Sequence, residues 1–135
     1  MAKILITGIT SIHGWPVFQY FQSLYPGKVL GIKNTFARKP EENSCVVSAN
    51  IEDRQKIQNI CKEFHPTHII HCAGLCDLDT AEDYPQRAYD LNIQGAWNLY
   101  DVASSCRVLY LSYDLIFSGV KNYGQGYTEE DIPDP

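Results

Sequence analysis

Apolar positions fall along this chain in two alternating rhythms: short unbroken runs, and longer stretches in which they return every three or four residues. Lys3 to Thr7 is a β-branched, apolar run that stops at Gly8, the pattern of a strand covered on both faces of a parallel sheet. From Ser11 the period becomes helical, with Val17, Phe21 and Leu24 on one side. Pro16 is tolerated there because the first turn of a helix has no use for its missing N–H. Pro26-Gly27 ends that helix, Lys28 to Ile32 predicts a second strand, and the polar residues 33–44 predict a loop. Cys45 to Val47 reads as a brief third strand. A helix comes next, opened by Glu52-Asp53 at its positive end, with Ile57, Ile60, Cys61 and Phe64 facing inward. Pro66 closes that unit. His68 to Cys72 predicts a fourth strand, and Val108 to Leu111 a fifth. Between them a long helix from about Gln86 to Ser104 presents Ala88, Leu91, Gly95, Leu99 and Val102 on one side.

Strands alternating with helices at this spacing are βαβ units. They imply an α/β protein with a Rossmann-type doubly wound parallel sheet in three αβα layers. With 135 residues, a single domain spanning 1–135 is expected. In such sheets ligands bind beyond the carboxyl ends of the strands, so the residues just after each strand are the ones to inspect.

Composition narrows the partners. A net charge of −5 argues against a nucleic-acid surface, which needs a clustered basic face. No apolar run is long enough for a signal peptide or a bilayer span, so no membrane partner and a cytoplasmic location are expected. Five cysteines, an odd number scattered through apolar segments, read as reduced packing thiols rather than a disulfide framework.

The most informative turn lies just after the first strand, Thr7-Gly8-Ile9-Thr10-Ser11-Ile12-His13-Gly14. Gly8 can take the tight bend, the helix N-terminus can face a pyrophosphate, and Gly14 lets the helix lie close to the sheet. This Gly-x-x-Ser-x-x-Gly spacing resembles the TGxxGxxG fingerprint of the short-chain dehydrogenase/reductase superfamily, with Ser11 in place of the middle glycine. Later segments are similar to the same superfamily in the same order. Asn50-Ile51 resembles its adenine-contacting pair, and Cys72-Ala73-Gly74 its small-residue stretch after strand four. Leu75 to Glu82 resembles the A-x-x-V-D-x-C-E signature of dTDP-4-dehydrorhamnose reductases, and Leu91 to Leu99 the N-x-x-G-x-x-N-L helix. Leu111 to Gly119 and Tyr127 to Pro135 match the strand-five exit and the Y-x-E-x-D-x-P-x-P tail.

The resemblance to the rhamnose-reductase branch of the extended short-chain dehydrogenases implies a dinucleotide cofactor and a nucleotide-sugar substrate. Carried over position by position, it assigns cofactor contacts to Gly8, Ser11, Ile12, Gly14, Asn50, Ile51, Cys72, Ala73 and Gly74, with Asn92 ordering the site from behind. The end of strand two, Ile32-Lys33-Asn34, lacks the carboxylate that NAD selection usually places there. Lys33 and Arg38, with Lys39, can instead neutralise a 2′-phosphate, so NADP is expected ahead of NAD; the other reading is a solvated basic loop. Ser112 and Tyr113 stand where the family's substrate-binding hydroxyl comes after strand five. Tyr113 is bulkier than the usual Ser or Thr, and serves either as a hydrogen-bond donor or as packing that occludes the cleft. Ser112, if still on the strand, faces the other side.

The family pattern puts its Tyr-x-x-x-Lys pair and substrate lobe beyond position 135. The chain is therefore expected to carry a cofactor platform and the first part of an active site, without turnover by itself. The runner-up is a non-catalytic NADP-binding module resembling the regulatory β subunit of methionine adenosyltransferase; an epimerase or dehydratase of the same superfamily is the third reading. His68-x-x-His71 gives no metal site, because residues three apart on a strand point to opposite faces. Asp79 and Glu82 are expected to border the cleft or start a helix, and His13 either to meet phosphate or to lie exposed. Tyr84, Tyr89, Trp97 and Tyr100 are expected to pack between helices, and the long helix to contribute to a homodimer.

Overall fold

The computed structural model describes residues 2–103, 105–120, 124 and 126–134. Five parallel strands form one sheet in the order β3-β2-β1-β4-β5: β1 (Ile4–Thr7), β2 (Val29–Lys33), β3 (Val46–Ser48), β4 (His68–His71) and β5 (Arg107–Tyr110). The order reverses between β1 and β4, so the crevice of a doubly wound sheet opens above Thr7 and His71, which are register partners.

Two hydrophobic layers sandwich the sheet because its inner strands alternate their side chains between two covered faces. One layer joins Leu5, Leu30, Ile32 and Ile69 to Ile57, Ile60 and Cys61 of helix α2 (Arg54–Phe64) and to Leu99. The other joins Ile4, Ile6, Val29 and Ile70 to Phe18 of helix α1 (Gly14–Leu24). Leu5 and Ile6, side by side in sequence, are both fully buried on opposite faces. β5 is an edge strand, with Leu109 and Tyr110 exposed.

Several sequence expectations shift. Helix α1 starts at Gly14 rather than Ser11, since residues 8–13 are spent on the turn. Phe18 is its buried anchor, flanked by Val17 and Phe21, while Leu24 points to solvent. β3 runs one residue later than expected, Val46–Ser48, after a tight bridge between Asn43 and Val46. The segment expected as one long helix is three pieces: α4 (Pro85–Tyr89), a π-turn (Asp90–Gln94) and α5 (Gly95–Val102), preceded by a separate short helix α3 (Leu78–Asp83). Ser104, its expected end, lies outside the described residues, as does Pro135. Gly95 and Leu99 do face the core, but Tyr84, Tyr89, Trp97 and Tyr100 are exposed and do not pack between helices. β5 ends at Tyr110 instead of Leu111, so residues 111–113 leave the sheet as irregular chain.

Candidate functional site

Strand β1 delivers the chain to Gly8 with φ +67°, a left-handed conformation that favours glycine. Its Cα side lies against the β4 exit: a Cβ there would stand 2.5 Å from the Ala73 nitrogen and 2.7 Å from the Cys72 carbonyl carbon. Gly14 is buried, and a Cβ on it would strike the Gly8 carbonyl. These two glycines let turn, helix and strand exit come together at backbone distance. Ser11 resolves its own anomaly. Its Oγ accepts the Gly14 N–H at 2.9 Å and donates to the Cys72 carbonyl at 3.4 Å, so the hydroxyl is committed to the turn instead of projecting freely from it.

Above this turn is a cavity of about 170 Å³ lined by Thr7, Gly8, Thr10, Ser11, Ile32, Lys33, Asn34, Ala49, Ile51, Ala73, Gly74 and Leu91. It runs from the Gly8 turn over the ends of β1 and β2 to the apolar patch of Ala49, Ile51 and Leu91. Six of the residues singled out from sequence meet here: Gly8, Ser11, Lys33, Ile51, Ala73 and Gly74. Ile12 is 84% exposed and Arg38 is exposed, and neither lines the cavity. Lys33 is buried, and its Nζ donates to the Ala37 carbonyl at 3.0 Å and ties down the loop after β2. Asn50 accepts from the Thr35 hydroxyl at 2.7 Å, pinning the same loop from the β3 side.

A second cavity, of about 400 Å³, adjoins the first at Ala73 and Gly74. It is walled by the 72–78 stretch, by Tyr110 to Tyr113, and by Asn92, Leu115 and Ile116. Because β5 ends at Tyr110, Ser112 does not alternate away as a strand residue would; Ser112 and Tyr113 line this cavity together, with Cys72 opposite. Asn92 is aimed here by the π-turn. Its amide oxygen accepts the Leu75 N–H at 2.7 Å and its amide nitrogen donates to the Leu75 carbonyl at 3.0 Å, so it lines the cavity while clamping the 72–78 wall.

The Cys76 thiol donates to the Tyr113 hydroxyl at 3.0 Å, and the His13 ring stands 5.9 Å from that of Tyr113. Tyr113 is pushed up to about 12, chiefly by its hydrogen bond with Cys76. Burial and neighbouring Cys72 and Tyr110 add to the effect. Such a phenol is a hydrogen-bond donor and a wall, and a poor acid-base group near neutrality. Asp77 caps α3 by accepting the Thr80 N–H at 2.7 Å, and the Thr80 side chain first, then its backbone N–H, hold the carboxyl below the usual range. Asp79 falls in the first turn of α3, and Glu82 further along it; neither lines the cavity. His13 is exposed.

Two more residues shape the site in roles that the sequence reading did not assign to them. Asn98 is buried and donates to the carbonyls of Ile51 (3.0 Å) and Glu52 (2.9 Å), locking the β3 exit to α5. His71 is buried with Nδ1 2.6 Å from the Thr7 hydroxyl, and burial pushes its imidazole down to about 4. Asn98 had a signal, the second Asn of N-x-x-G-x-x-N-L; the pairing of His71 with Thr7 needs the register of β1 on β4. Among the described residues no group of three or more His, Cys, Asp or Glu could hold a metal ion, and no helix is long and apolar enough to cross a membrane.

A parallel sheet with a glycine turn at its switch point, continuous with a larger cleft over β4 and β5, defines a Rossmann-like α/β fold. The model of the RmlD substrate binding domain family matches residues 2–135, and the chain belongs to that family. It is 32% identical over 135 residues to the Methionine adenosyltransferase 2 subunit beta of Bos taurus, covering 98% of this chain and 38% of the relative. It is also 32% identical over 88 residues to the dTDP-4-dehydrorhamnose reductase of Aggregatibacter actinomycetemcomitans, covering 64% of this chain and 29% of that protein. The chain thus spans well under half the length of these curated relatives. Among solved structures, the UDP-glucose 4-epimerase of Thermus thermophilus, in complex with NAD, superposes with a TM-score of 0.85 at 19% identity over 98% of this chain and 44% of that one. A hypothetical dTDP-4-dehydrorhamnose reductase from Sulfolobus tokodaii gives 0.78 at 24% identity, covering 98% and 46%. At these identities the structural likeness establishes the fold.

Proposed function

We propose that this chain is the cofactor platform of an NADP-preferring reductase acting on a nucleotide-linked keto sugar. The observation that carries the reading is the cavity over the Gly8 turn, which offers backbone at the switch point, an apolar patch at Ala49, Ile51 and Leu91, and no carboxylate at the end of β2. In this reading Gly8, Ser11 and Gly14 shape the pyrophosphate turn, Ile51 meets the adenine, and Ala73 and Gly74 leave room where the two cavities join. Lys33 and Asn34 face the ribose, and the exposed Arg38 swings in to pair with a 2′-phosphate, which its fork-shaped guanidinium suits. When bound, the nicotinamide would supply the hydride; the chain's own part is to orient it against a carbonyl near Ser112 and Tyr113. The cleft over β4 and β5 then takes the keto sugar, and the five free thiols agree with a reducing, cytoplasmic setting.

Calorimetric titration with NADPH and NADH tests this directly. NADPH is expected to bind at least about tenfold more tightly, a difference of about 1.4 kcal/mol, and Arg38→Ala to erase most of it. Equal affinities in the unaltered protein sink the 2′-phosphate reading, and no binding of either sinks the cofactor reading.

A second reading, a regulatory NADP-binding module, is favoured by the state of Tyr113: it is latched to Cys76 and held too far above neutrality to exchange protons. Under that reading NADPH binds but no ketone is reduced, even by a longer polypeptide that includes these residues.

A further inference from the structure

His71 presents a polar atom that the packing of the fold does not use. It is 2% exposed, its ring lies among the walls of the larger cavity, and its Nε2 has no hydrogen-bond partner among the described residues. Buried polar atoms are almost always paired, so an orphan in the wall of a cleft calls for an explanation.

Counting hydrogens identifies what Nε2 carries. Thr7 Oγ1 lies 2.6 Å from Nδ1 and accepts a long bond, 3.4 Å, from the Ala73 N–H. If Thr7 gives its single hydrogen to Nδ1, both of these side chains are paired except for an Nε2–H. If Nδ1 gave the hydrogen instead, the buried Thr7 O–H and the Nε2 lone pair would both be unmet. The first arrangement leaves one unsatisfied group and the second two, at about 1–3 kcal/mol each. Thr7 therefore fixes the tautomer, and His71 is neutral with its proton on Nε2.

Direction comes from the register. Thr7, His71 and Tyr110 are side-by-side partners across β1, β4 and β5, so all three side chains share one face. With Nδ1 turned to β1, the Cδ2 edge of the ring turns to β5, and Nε2 lies at the far end of a ring that lines the cavity. There the Tyr110 ring lies 5.1 Å away at a 58° tilt, on an exposed edge strand where it can rotate.

We propose that His71 is a recognition donor of the cleft, its Nε2–H reserved for the uncharged carbonyl oxygen of a molecule bound against the ends of β4 and β5. The acceptor is neutral because the donor is: a neutral N–H in a dry wall repays a ketone or carboxamide oxygen, whereas an anion would bring a desolvation penalty with no positive charge to offset it. Two sources supply such an oxygen, the carboxamide of a nicotinamide cofactor and the ketone of a sugar substrate. Both rest on the proposed dinucleotide and keto-sugar function. Tyr110 turns aside to admit either.

The test is long-range proton–nitrogen correlation NMR on the 15N-labelled protein, first free and then saturated in turn with adenosine 2′,5′-bisphosphate, NADP+ and a nucleoside-diphosphate 4-keto sugar. In the free protein the His71 spectrum is expected to show the proton on Nε2; a proton on Nδ1 overturns the proposal before any ligand is added. Adenosine 2′,5′-bisphosphate, which has no carboxamide, is expected to move the Gly8 and Ile51 amides and leave His71 Nε2 where it was. A shift of Nε2 with NADP+ assigns the acceptor to the cofactor; a shift only with the keto sugar assigns it to the substrate. Ligands that bind, as judged by the amides lining the cavities, yet leave Nε2 unmoved overturn the proposal while the cofactor reading stands. If no ligand moves any amide, the cofactor reading fails and the proposal fails with it. His71→Phe, which keeps a ring and loses both nitrogens, is expected to weaken by about tenfold whichever ligand moved Nε2 and to leave adenosine 2′,5′-bisphosphate binding unchanged.

Discussion

Gly8 is the residue at which the least change would do the most. A methyl group there meets the Ala73 nitrogen at 2.5 Å and forces a side chain into φ +67°. Gly8→Ala is expected to destabilise the protein by about 1–3 kcal/mol and to abolish nucleotide binding, as thermal unfolding and calorimetry will register. His71 governs acid stability. Its imidazole titrates at about 4 in the folded protein against an ordinary 6.5, so between those values the unfolded chain binds the extra proton. Stability is therefore full above about pH 6.5 and declines as the pH falls toward 4. From about pH 7.5 to about pH 5 the loss attributable to this group is about 2 kcal/mol. Urea unfolding at the two pH values measures it, and His71→Gln is expected to flatten the difference. The thiols differ in a way that composition conceals. Burial pushes Cys61 and Cys72 up to about 11, whereas Cys76 is exposed. A thiolate-seeking reagent is expected to label Cys76 first and to reach Cys61 only on unfolding.

At the scale of elements, the segment 85–102 works as a broken helix whose break is useful. The π-turn at 90–94 directs Asn92 toward Leu75, and α5 after it directs Asn98 toward the β3 exit, so two side-chain amides from one stretch hold two strand-end loops. Asn98→Leu leaves the buried Ile51 carbonyl without its side-chain partner, while the Glu52 carbonyl keeps the Arg54 N–H. The expected loss is about 1–3 kcal/mol in chemical denaturation. Asn92→Ala removes a clamp that is only partly buried. It is expected to cost less stability but to loosen the 72–78 wall, read as faster amide exchange at Leu75.

For the molecule as a whole, the two cavities differ in what walls them. The smaller lies over the ends of the inner strands β1 and β2. The larger is walled on one side by the edge strand β5 and the exposed Leu115 and Ile116, and its Tyr113 is held well above neutrality. The 135-residue protein is accordingly expected to bind NADPH without oxidising it in the presence of a nucleoside-diphosphate keto sugar. Steady loss of NADPH fluorescence in that mixture would contradict this.

Local pattern was enough for the architecture: buried runs of four or five residues, helices at a period of about 3.6, and a glycine turn after the first strand made the parallel sheet and the place of its switch-point cavity readable from the chain alone. Gly8, Ile51, Ala73 and Gly74 were readable too, because a strand exit dictates its own neighbourhood. What the chain could not disclose depended on contacts between residues far apart in sequence. Ser11 spends its hydroxyl on Gly14 and Cys72, Ser112 shares a cavity with Tyr113 because β5 stops early, and the aromatic residues of the broken helix turn outward. The proton on His71 is the clearest case: periodicity places that residue on a strand, but only the side-by-side register of β1, β4 and β5 gives its ring a partner on one side and a cavity on the other.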